Sequence, residues 1–333
     1  MTAFVATRLG KALMVMLGVV VINFFLIRLA PGDPAQVLAG ESGAGDPQYV
    51  ENLRRQFGLD QSLPTQLALY LKGVVRFDLG YSYRNHVPVL DLILDRLPAT
   101  LLLMSAAFVL SIGIGVTLGA LAARTRYDGR RRWLDSVLLT GALLLYATPL
   151  FWLALLALIV FTVLLGWLPG FGMENVSAGL TGLARLADIA LHLVLPACSL
   201  AAFFVAVYAR LTRAAMLEVM GMDFVKTARA KGVDAGRVLR VHVLRNALLP
   251  VVTFAGVQLG QLAGGALLTE TVFSWPGIGR LMFDALLQRD YQLLLGIFFI
   301  TSMMVVGFNL IADLILRWLD PRIGAGRAAG AAA

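Results

Sequence analysis

The chain of 333 residues is 59% hydrophobic and only 14% charged, with a mean hydropathy of +0.80. A soluble domain carries about 25% charged residues, so this composition excludes an ordinary water-soluble fold and places the chain in a lipid bilayer. The net charge of +8 then concerns which side of the membrane holds the basic residues before it concerns nucleic acid. The single cysteine, Cys198, lies in an apolar run, which excludes internal disulfides and cysteine metal sites.

Arg8 and Lys11 precede the apolar run Ala12–Ile27, a polarity shared with secretion signals. No small-residue cleavage site follows, because Arg28-Leu-Ala-Pro31 comes next. Residues 1–29 are therefore expected to be a cytoplasmic N-terminus and a retained first span. Residues 30–98 form a long external segment with its own punctuation. Asp46-Pro47 reads as a helix start and Gly58 as its stop. Ser62-Leu-Pro64 opens a second helix, whose apolar Leu67, Leu71, Val74 and Val75 recur at helical spacing. Pro88–Leu97 reads as a short amphipathic helix ending at Pro98. A small external platform and helices lying on the membrane surface both fit this segment.

Five further runs reach the roughly 20 apolar residues that a crossing needs. They are 99–123, 134–168, 189–209, 250–270 and 292–316. The uncharged stretch Ser136–Leu168 is longer than one crossing requires. Pro149, followed by Phe151 and Trp152, is expected to kink a single tilted helix there, since no polar turn divides the run. Charge parity also favours one helix. With six spans, Arg8 and Lys11, the five arginines of 124–133, the eight Arg and Lys residues of 210–250 and the arginines of the 317–333 tail share one side. The opposite loops, 167–188 and 273–291, carry only Arg185, Arg280 and Arg289. The basic side is the cytoplasmic one by the positive-inside rule.

The segment 210–250 is basic and helix-forming. Asp223 is expected to N-cap a helix Phe224–Lys231, with Gly232 as its stop. Asp234 then caps a second helix running toward Ala247, and Pro250 opens the fifth span. Phe224, Ala228 and Gly232 share one side at four-residue spacing, where small residues let another protein's backbone approach. Lys226, Arg229 and Lys231 suit acidic groups or lipid headgroups. Docking on a soluble partner and resting on anionic lipid both remain open from these residues.

In the fifth span, Gly256, Gly260 and Gly264 repeat every four residues beside Gln258 and Gln261. Small residues at this period bring helices close, and amides inside a span prefer the bundle interior or a wet cavity to lipid. The glutamines therefore either line a solute pathway or bond between helices; Ser199 and Asn309 are further pathway candidates. Past Glu270, Trp275-Pro276-Gly277 makes a tight turn, with Phe273 and Ile278 placed to dip back as a cap. An interfacial aromatic anchor is the alternative. No Gly-x-x-x-x-Gly-Lys-[Ser/Thr] phosphate loop, His-Glu-x-x-His or His/Cys cluster occurs.

Thr227-Ala-Arg-Ala-Lys-Gly232, with Leu248-Leu-Pro250 downstream, resembles the EAA loop of ATP-binding-cassette (ABC) importer permeases. More specifically it looks like the dipeptide/oligopeptide/nickel family. Motifs in matching order cover nearly the whole chain: Arg28-Leu-Ala-Pro-Gly-Asp-Pro34, Gly58-Leu-Asp-Gln-Ser-Leu-Pro64, Asp78-Leu-Gly80, Arg96-Leu-Pro-Ala-Thr100, Tyr208-Ala-Arg-Leu-Thr-Arg213, Glu270-Thr-Val-Phe-Ser-Trp-Pro-Gly-Ile-Gly279 and Leu319-Asp-Pro-Arg322. Lys226-Thr227-Ala228 stands where the general pattern has Glu-Ala-Ala, and the glycine lies farther from Leu-Pro than in sugar permeases; both departures suit the peptide subfamily.

The resemblance implies an all-α polytopic membrane protein with the six-helix type I importer (MetI-like) fold and a long external loop after the first helix. It implies a bacterial inner-membrane heterodimer with a homologous permease, served by two cytoplasmic ATPase subunits and an extracytoplasmic substrate-binding protein, in contact with lipid and not with nucleic acid. ATP and Mg would be used by the ATPases, with no cofactor, metal or catalytic residue on this chain. ATPase coupling would fall to Glu218, Asp223, Phe224, Thr227, Ala228, Arg229, Lys231, Gly232, Leu249 and Pro250. The pathway would use Gln258, Gln261, Ser199 and Asn309, and Glu270, Phe273, Trp275 and Pro276 would close the external mouth. The implied solutes are di- or oligopeptides, with nickel complexes or glutathione-like solutes as alternatives. A self-contained secondary transporter or channel would need inverted repeats or mid-span ionisable residues, and a membrane enzyme would need a clustered catalytic set; the sequence offers none of these.

Overall fold

The computed structural model describes residues 2–29, 36, 47–56, 58–128 and 132–319. The chain divides into two compact units, one of Met1–Thr100 with Pro276–Leu310 and one of Leu101–Trp275 with Ile311–Ala333.

In the first unit, the apolar helix α1 spans Thr2–Leu29, in keeping with a first span. Helix α2, Pro47–Gln56, begins at the expected proline; the cap assigned to Asp46 lies outside the described residues. Helix α3, Leu63–Val75, starts after Ser62 with proline in its first turn. Val74 on this helix is buried and Val75 is 80% exposed. Gln66 links α3 to α1. Its Oε1 accepts from Nε and Nη2 of Arg28 at 2.9 and 2.7 Å, while its Nε2 donates to the Gln61 carbonyl at 2.8 Å. The Arg28 guanidinium also lies 3.6 Å from the ring centre of Phe24.

A small antiparallel hairpin follows, β1 Tyr81–Ser82 and β2 Val87–Pro88, with Tyr81 opposite Pro88. Its Ser82 hydroxyl donates to Asp290 Oδ2 at 2.5 Å, and Asp290 Oδ1 accepts the Leu293 N–H at 3.1 Å. One buried carboxylate thus ties the hairpin to the helix that starts at Tyr291. Val20, Val74, Ile93, Ile278, Leu293 and Ile297 form the core of this unit.

Helix α4, Val89–Asp128, runs unbroken for 40 residues, through Pro98. The separate helix expected to end at Pro98 is therefore not found. Proline's fixed φ is already helical, so it forfeits a hydrogen bond without forcing an end. Ile93 and Leu103, on either side of it, are fully buried.

In the second unit, the third apolar run is not one kinked helix. Helix α5, Arg132–Ala147, and helix α6, Leu150–Leu158, meet at a bend of 103°. Pro149 takes an extended conformation, φ −58° and ψ 132°, and Thr148 Oγ1 donates to the Leu144 carbonyl at 2.7 Å, closing α5. The proline cannot donate to α5, and the residue before it disfavours the helical region. The turn runs on from α6 as a π-helix, Ile159–Leu164.

Helix α7, Gly182–Met220, is continuous over 39 residues and contains Pro196, extending well beyond the expected 189–209 at both ends. Helix α8 is Asp223–Ala230, and α9, Ala235–Arg237, passes through a π-helical turn, Val238–Leu244, into α10, Arg245–Val272. Pro250 thus lies inside α10 and does not open the span. The wider π turn upstream accommodates the irregular hydrogen bonding, and the Asn246 amide donates to the His242 carbonyl at 2.7 Å. Helices α11, Ile278–Leu287, and α12, Tyr291–Leu319, belong mostly to the first unit. Among the described residues, five helices are long and apolar enough to cross a membrane, and the bent α5–α6 pair makes a sixth if it counts as one span.

Candidate functional site

Helix α8 is fixed at both ends by local chemistry. Gly232 adopts φ +75°, a left-handed conformation that favours glycine. Its N–H reaches the Arg229 carbonyl at 2.9 Å, and the Val233 N–H reaches the Ala228 carbonyl at 3.2 Å. These paired bonds close the helix as a Schellman motif, as expected for Gly232. The start differs from expectation. Asp223 is the first helical residue, behind Met222, and its carboxylate accepts from Lys226 Nζ at 2.8 Å without capping the backbone. Asp234 does cap the next helix, accepting the Arg237 N–H at 3.1 Å.

The two faces of α8 also sort differently from the expected spacing. Val225 is fully buried and Ala228 is 8% exposed. Both pack with Ala123 at the end of α4 and with Met216, Val219 and Met220 at the end of α7. Ala228 therefore lies against its own chain, so the small-residue face drawn through Phe224, Ala228 and Gly232 is not a single outward surface. Ala228 lies between Phe224 and Val225 around the helix, one turn on from both, and its short side chain is covered by the packing that buries Val225. Phe224 is 43% exposed, and Asp223, Lys226, Thr227, Lys231 and Gly232 are also on the outer side. Arg229 is exposed yet anchored, its guanidinium 4.5 Å from the Tyr127 ring centre. Glu218, Leu249 and Pro250, on the flanking helices, are exposed as well.

The pathway candidates separate into two pairs. Gln258 is fully buried and Ser199 is 3% exposed. Gln258 Nε2 lies 3.5 Å from Ser111 Oγ on α4, a long bond at best. Its Oε1 has no protein partner, nor do the buried Tyr208 hydroxyl and Thr212 Oγ1. Gln261 and Asn309, by contrast, are exposed on otherwise apolar helices. Cys198, also on a span, is exposed, and His192 is buried with Nδ1 2.8 Å from the Asp188 carbonyl.

At the far end of α10, Glu270 and Trp275 are fully buried and Phe273 is 1% exposed. The Trp275 N–H donates to the Glu270 carbonyl at 2.9 Å, and Ser274 turns the chain with φ +52°. Phe273 packs on Ala154, Leu158 and Leu195, and its carbonyl accepts from the Gly172 N–H at 2.9 Å. The turn is folded in and does not present Trp275 as a surface anchor. Pro276 is half-buried. In the first turn of α7, Arg185 pairs with both oxygens of Glu174 in the preceding loop, and this pairing holds the Glu174 carboxyl below its usual range. In the first unit, burial pushes the Tyr70 hydroxyl up to about 12, partly offset by Arg28.

Sequence reasoning missed several of these features. The bidentate pair of Arg213 with Asp135, 2.6 and 2.8 Å, was not singled out, although an acidic residue opening an apolar run was a visible signal. A close helix approach lies at Gly115 and Gly119 of α4, whereas Gly264 of α10 meets nothing within 4 Å. A Cβ at Gly115 would sit 2.4 Å from the Tyr208 Cβ, and one at Gly119 would sit 2.5 Å from the Ala209 carbonyl. Their four-residue spacing is the same signal read elsewhere. Among the described residues, no group of three or more His, Cys, Asp or Glu is placed to hold a metal.

Fold and site together define a class: a polytopic helical membrane protein with a capped surface helix fastened to the ends of its spans. Residues 115–325 match the model of the binding-protein-dependent transport system inner membrane component, and residues 1–104 match that family's N-terminal region. A Brucella abortus protein, provisionally named a peptide transport system permease protein, is 39% identical over 97% of this chain and 99% of its own length. The dipeptide transport system permease protein DppB of Alkalihalophilus pseudofirmus is 38% identical, and that of Escherichia coli K12 is 36% identical, each with the same coverage. The chain belongs to the family of binding-protein-dependent transport system inner membrane components. It is a multi-pass inner-membrane permease subunit of an ABC importer, a non-catalytic transport component that works with an ATPase and a binding protein.

Proposed function

We propose that this subunit imports di- or oligopeptides, pairing with a homologous permease over two ATPase subunits that use ATP and Mg. The relatives' names carry the solute class. The geometry of α8 carries the coupling role: its inner face is packed on the ends of α4 and α7, while Phe224 stands out on the face that is left. An aromatic side chain exposed beside charged neighbours is the usual anchor of a protein interface. A push on Phe224 would pass directly into two spans. The basic residues of 210–250 put this helix on the cytoplasmic side, with both termini. Gln261 and Asn309 are assigned to the solute pathway, since exposed amides on a span are better placed in a wet cavity than in lipid. Gln258 and Ser199 are assigned to the wall behind it. The folded-in turn Glu270–Pro276 is assigned to closing the external mouth.

The deciding experiment measures uptake of a radiolabelled dipeptide and ATP hydrolysis by the reconstituted importer with its binding protein. Phe224→Ala is expected to weaken ATPase docking by about 2 kcal/mol, the cost of truncating a typical aromatic anchor. Uptake should fall more than tenfold at limiting ATPase, with normal membrane insertion. Unchanged uptake and hydrolysis would refute the coupling role, and failure of every di- and oligopeptide to be imported by the wild type would refute the solute class.

A further inference from the structure

The pair Asp135–Arg213 joins two mostly apolar helices and is assigned neither to the coupling face nor to the pathway. Asp135 sits in the first turn of α5, with its side chain 6% exposed; Arg213 sits on α7, with its side chain 22% exposed. Two parallel hydrogen bonds of 2.6 and 2.8 Å give the contact a fixed orientation, which a single ion contact would lack. The same helix pair is stacked farther along, where Tyr146 lies against Phe203 with ring centres 4.8 Å apart and Arg210 lies 4.8 Å from the Tyr146 ring. Arg213 is seven residues before Met220, about 10 Å along the helix. Met216, Val219 and Met220 of that stretch make the floor on which Val225 and Ala228 of α8 rest.

We infer that Asp135 and Arg213 are positioning residues that lock the first half of the third span to the fourth, so that both move with α8 as one body. This inference rests on the coupling role proposed for α8. Burying such a pair is a poor way to gain stability, because an apolar replacement of similar size serves as well or better. Its geometric gain is a fixed register between α5 and α7. The bend of 103° after Ala147 turns α6 away from the direction of α5, so the Asp135–Arg213 pair acts directly on α5, while α6 meets α7 separately through Ala154, Leu158 and Leu195.

The test uses the reconstituted importer with its ATPases, binding protein and radiolabelled dialanine. Asp135→Asn and Arg213→Gln each leave one buried charge and should lower membrane abundance. The double variant removes both charges and should recover abundance. The ATP hydrolysed per peptide imported should nonetheless stay raised about five- to tenfold in the double variant, in the range of ordinary coupling energies. A wild-type ratio in the double variant would overturn the lock and leave the pair a purely structural contact. The second readout is the distance between spin labels at Leu144→Cys on α5 and Ala214→Cys on α7, in a Cys198→Ser background. The distribution should be unchanged by a non-hydrolysable ATP analogue in the otherwise wild-type protein and should shift or broaden in the double variant. A nucleotide-dependent distance in the otherwise wild-type protein would also overturn it. These distances do not depend on Phe224, so a failed docking role and a failed lock give different results.

Discussion

Phe224 and Ala228 stand one helical turn apart, yet the first is exposed and the second buried, and their substitutions should fail differently. Ala228→Leu places extra methylenes into a filled core and is expected to cost about 1–3 kcal/mol. The loss should appear in thermal unfolding of the purified complex, not as selective loss of ATPase binding. Lys226→Ala should change unfolding by under about 0.5 kcal/mol, because its pair with Asp223 is exposed. The same face assignment was only half legible in the sequence. Four-residue spacing is consistent with several stripes around a short helix, and only the position of Val225 against α4 and α7 selects one. Asp223 misled for a related reason: an acidic residue at a helix start looks like a cap, but here it pairs with Lys226 inside the first turn. Glu174 gives a pH signature. Its carboxyl is held low by Arg185, so the pair's contribution is present above the ordinary glutamate range and is lost as pH falls through the lowered value. Glu174→Gln should therefore be slightly less stable than wild type at neutral pH, and the difference should vanish on acidification, as followed by unfolding temperature against pH.

At the scale of elements, the prolines show where sequence reading stopped. Pro98, Pro149, Pro196 and Pro250 all interrupt apolar runs, yet only Pro149 breaks its helix. The difference lies in what surrounds them. Thr148 closes the preceding helix at Pro149, whereas buried neighbours flank Pro98 and a π turn precedes Pro250. None of these follows from the proline itself. Helix ends with strong local chemistry were legible, Gly232 and Asp234 above all. The helix contact at Gly115 and Gly119 makes a further prediction. Gly119→Val would drive side-chain atoms into the Ala209 carbonyl and Thr212 Cβ, only 2.5 and 2.7 Å from the new Cβ. Backbone does not give easily, so the cost should reach about 3 kcal/mol or more and appear as loss of folded protein in the membrane. Gly264→Ala on α10 meets nothing within 4 Å and should be silent in the same assay.

For the whole molecule, the order of the apolar runs was readable because bilayer thickness sets their length; five of the described helices are long and apolar enough to cross, and a sixth span depends on counting the bent α5–α6 pair as one. A cysteine at Leu69 on α3, 54% exposed, and one at Lys226 on α8 should react with an impermeant maleimide from opposite faces of the membrane. Reaction of both from the same face would refute the six-span topology. The continuity of α7 was not readable, since its two polar ends fall outside any hydropathy window. That continuity has a mechanical consequence. Pro196 divides α7 into arms of about 21 Å toward Gly182 and about 36 Å toward Met220, at 1.5 Å per residue. A helix pivoting there works as an unequal lever. A stroke at the α8 end arrives at the opposite end reduced to roughly three-fifths of its size and correspondingly stronger, by the ratio of those arms. Under the coupling proposed for α8, such a gearing would trade a longer motion at Met220 for a shorter, more forceful one at Gly182.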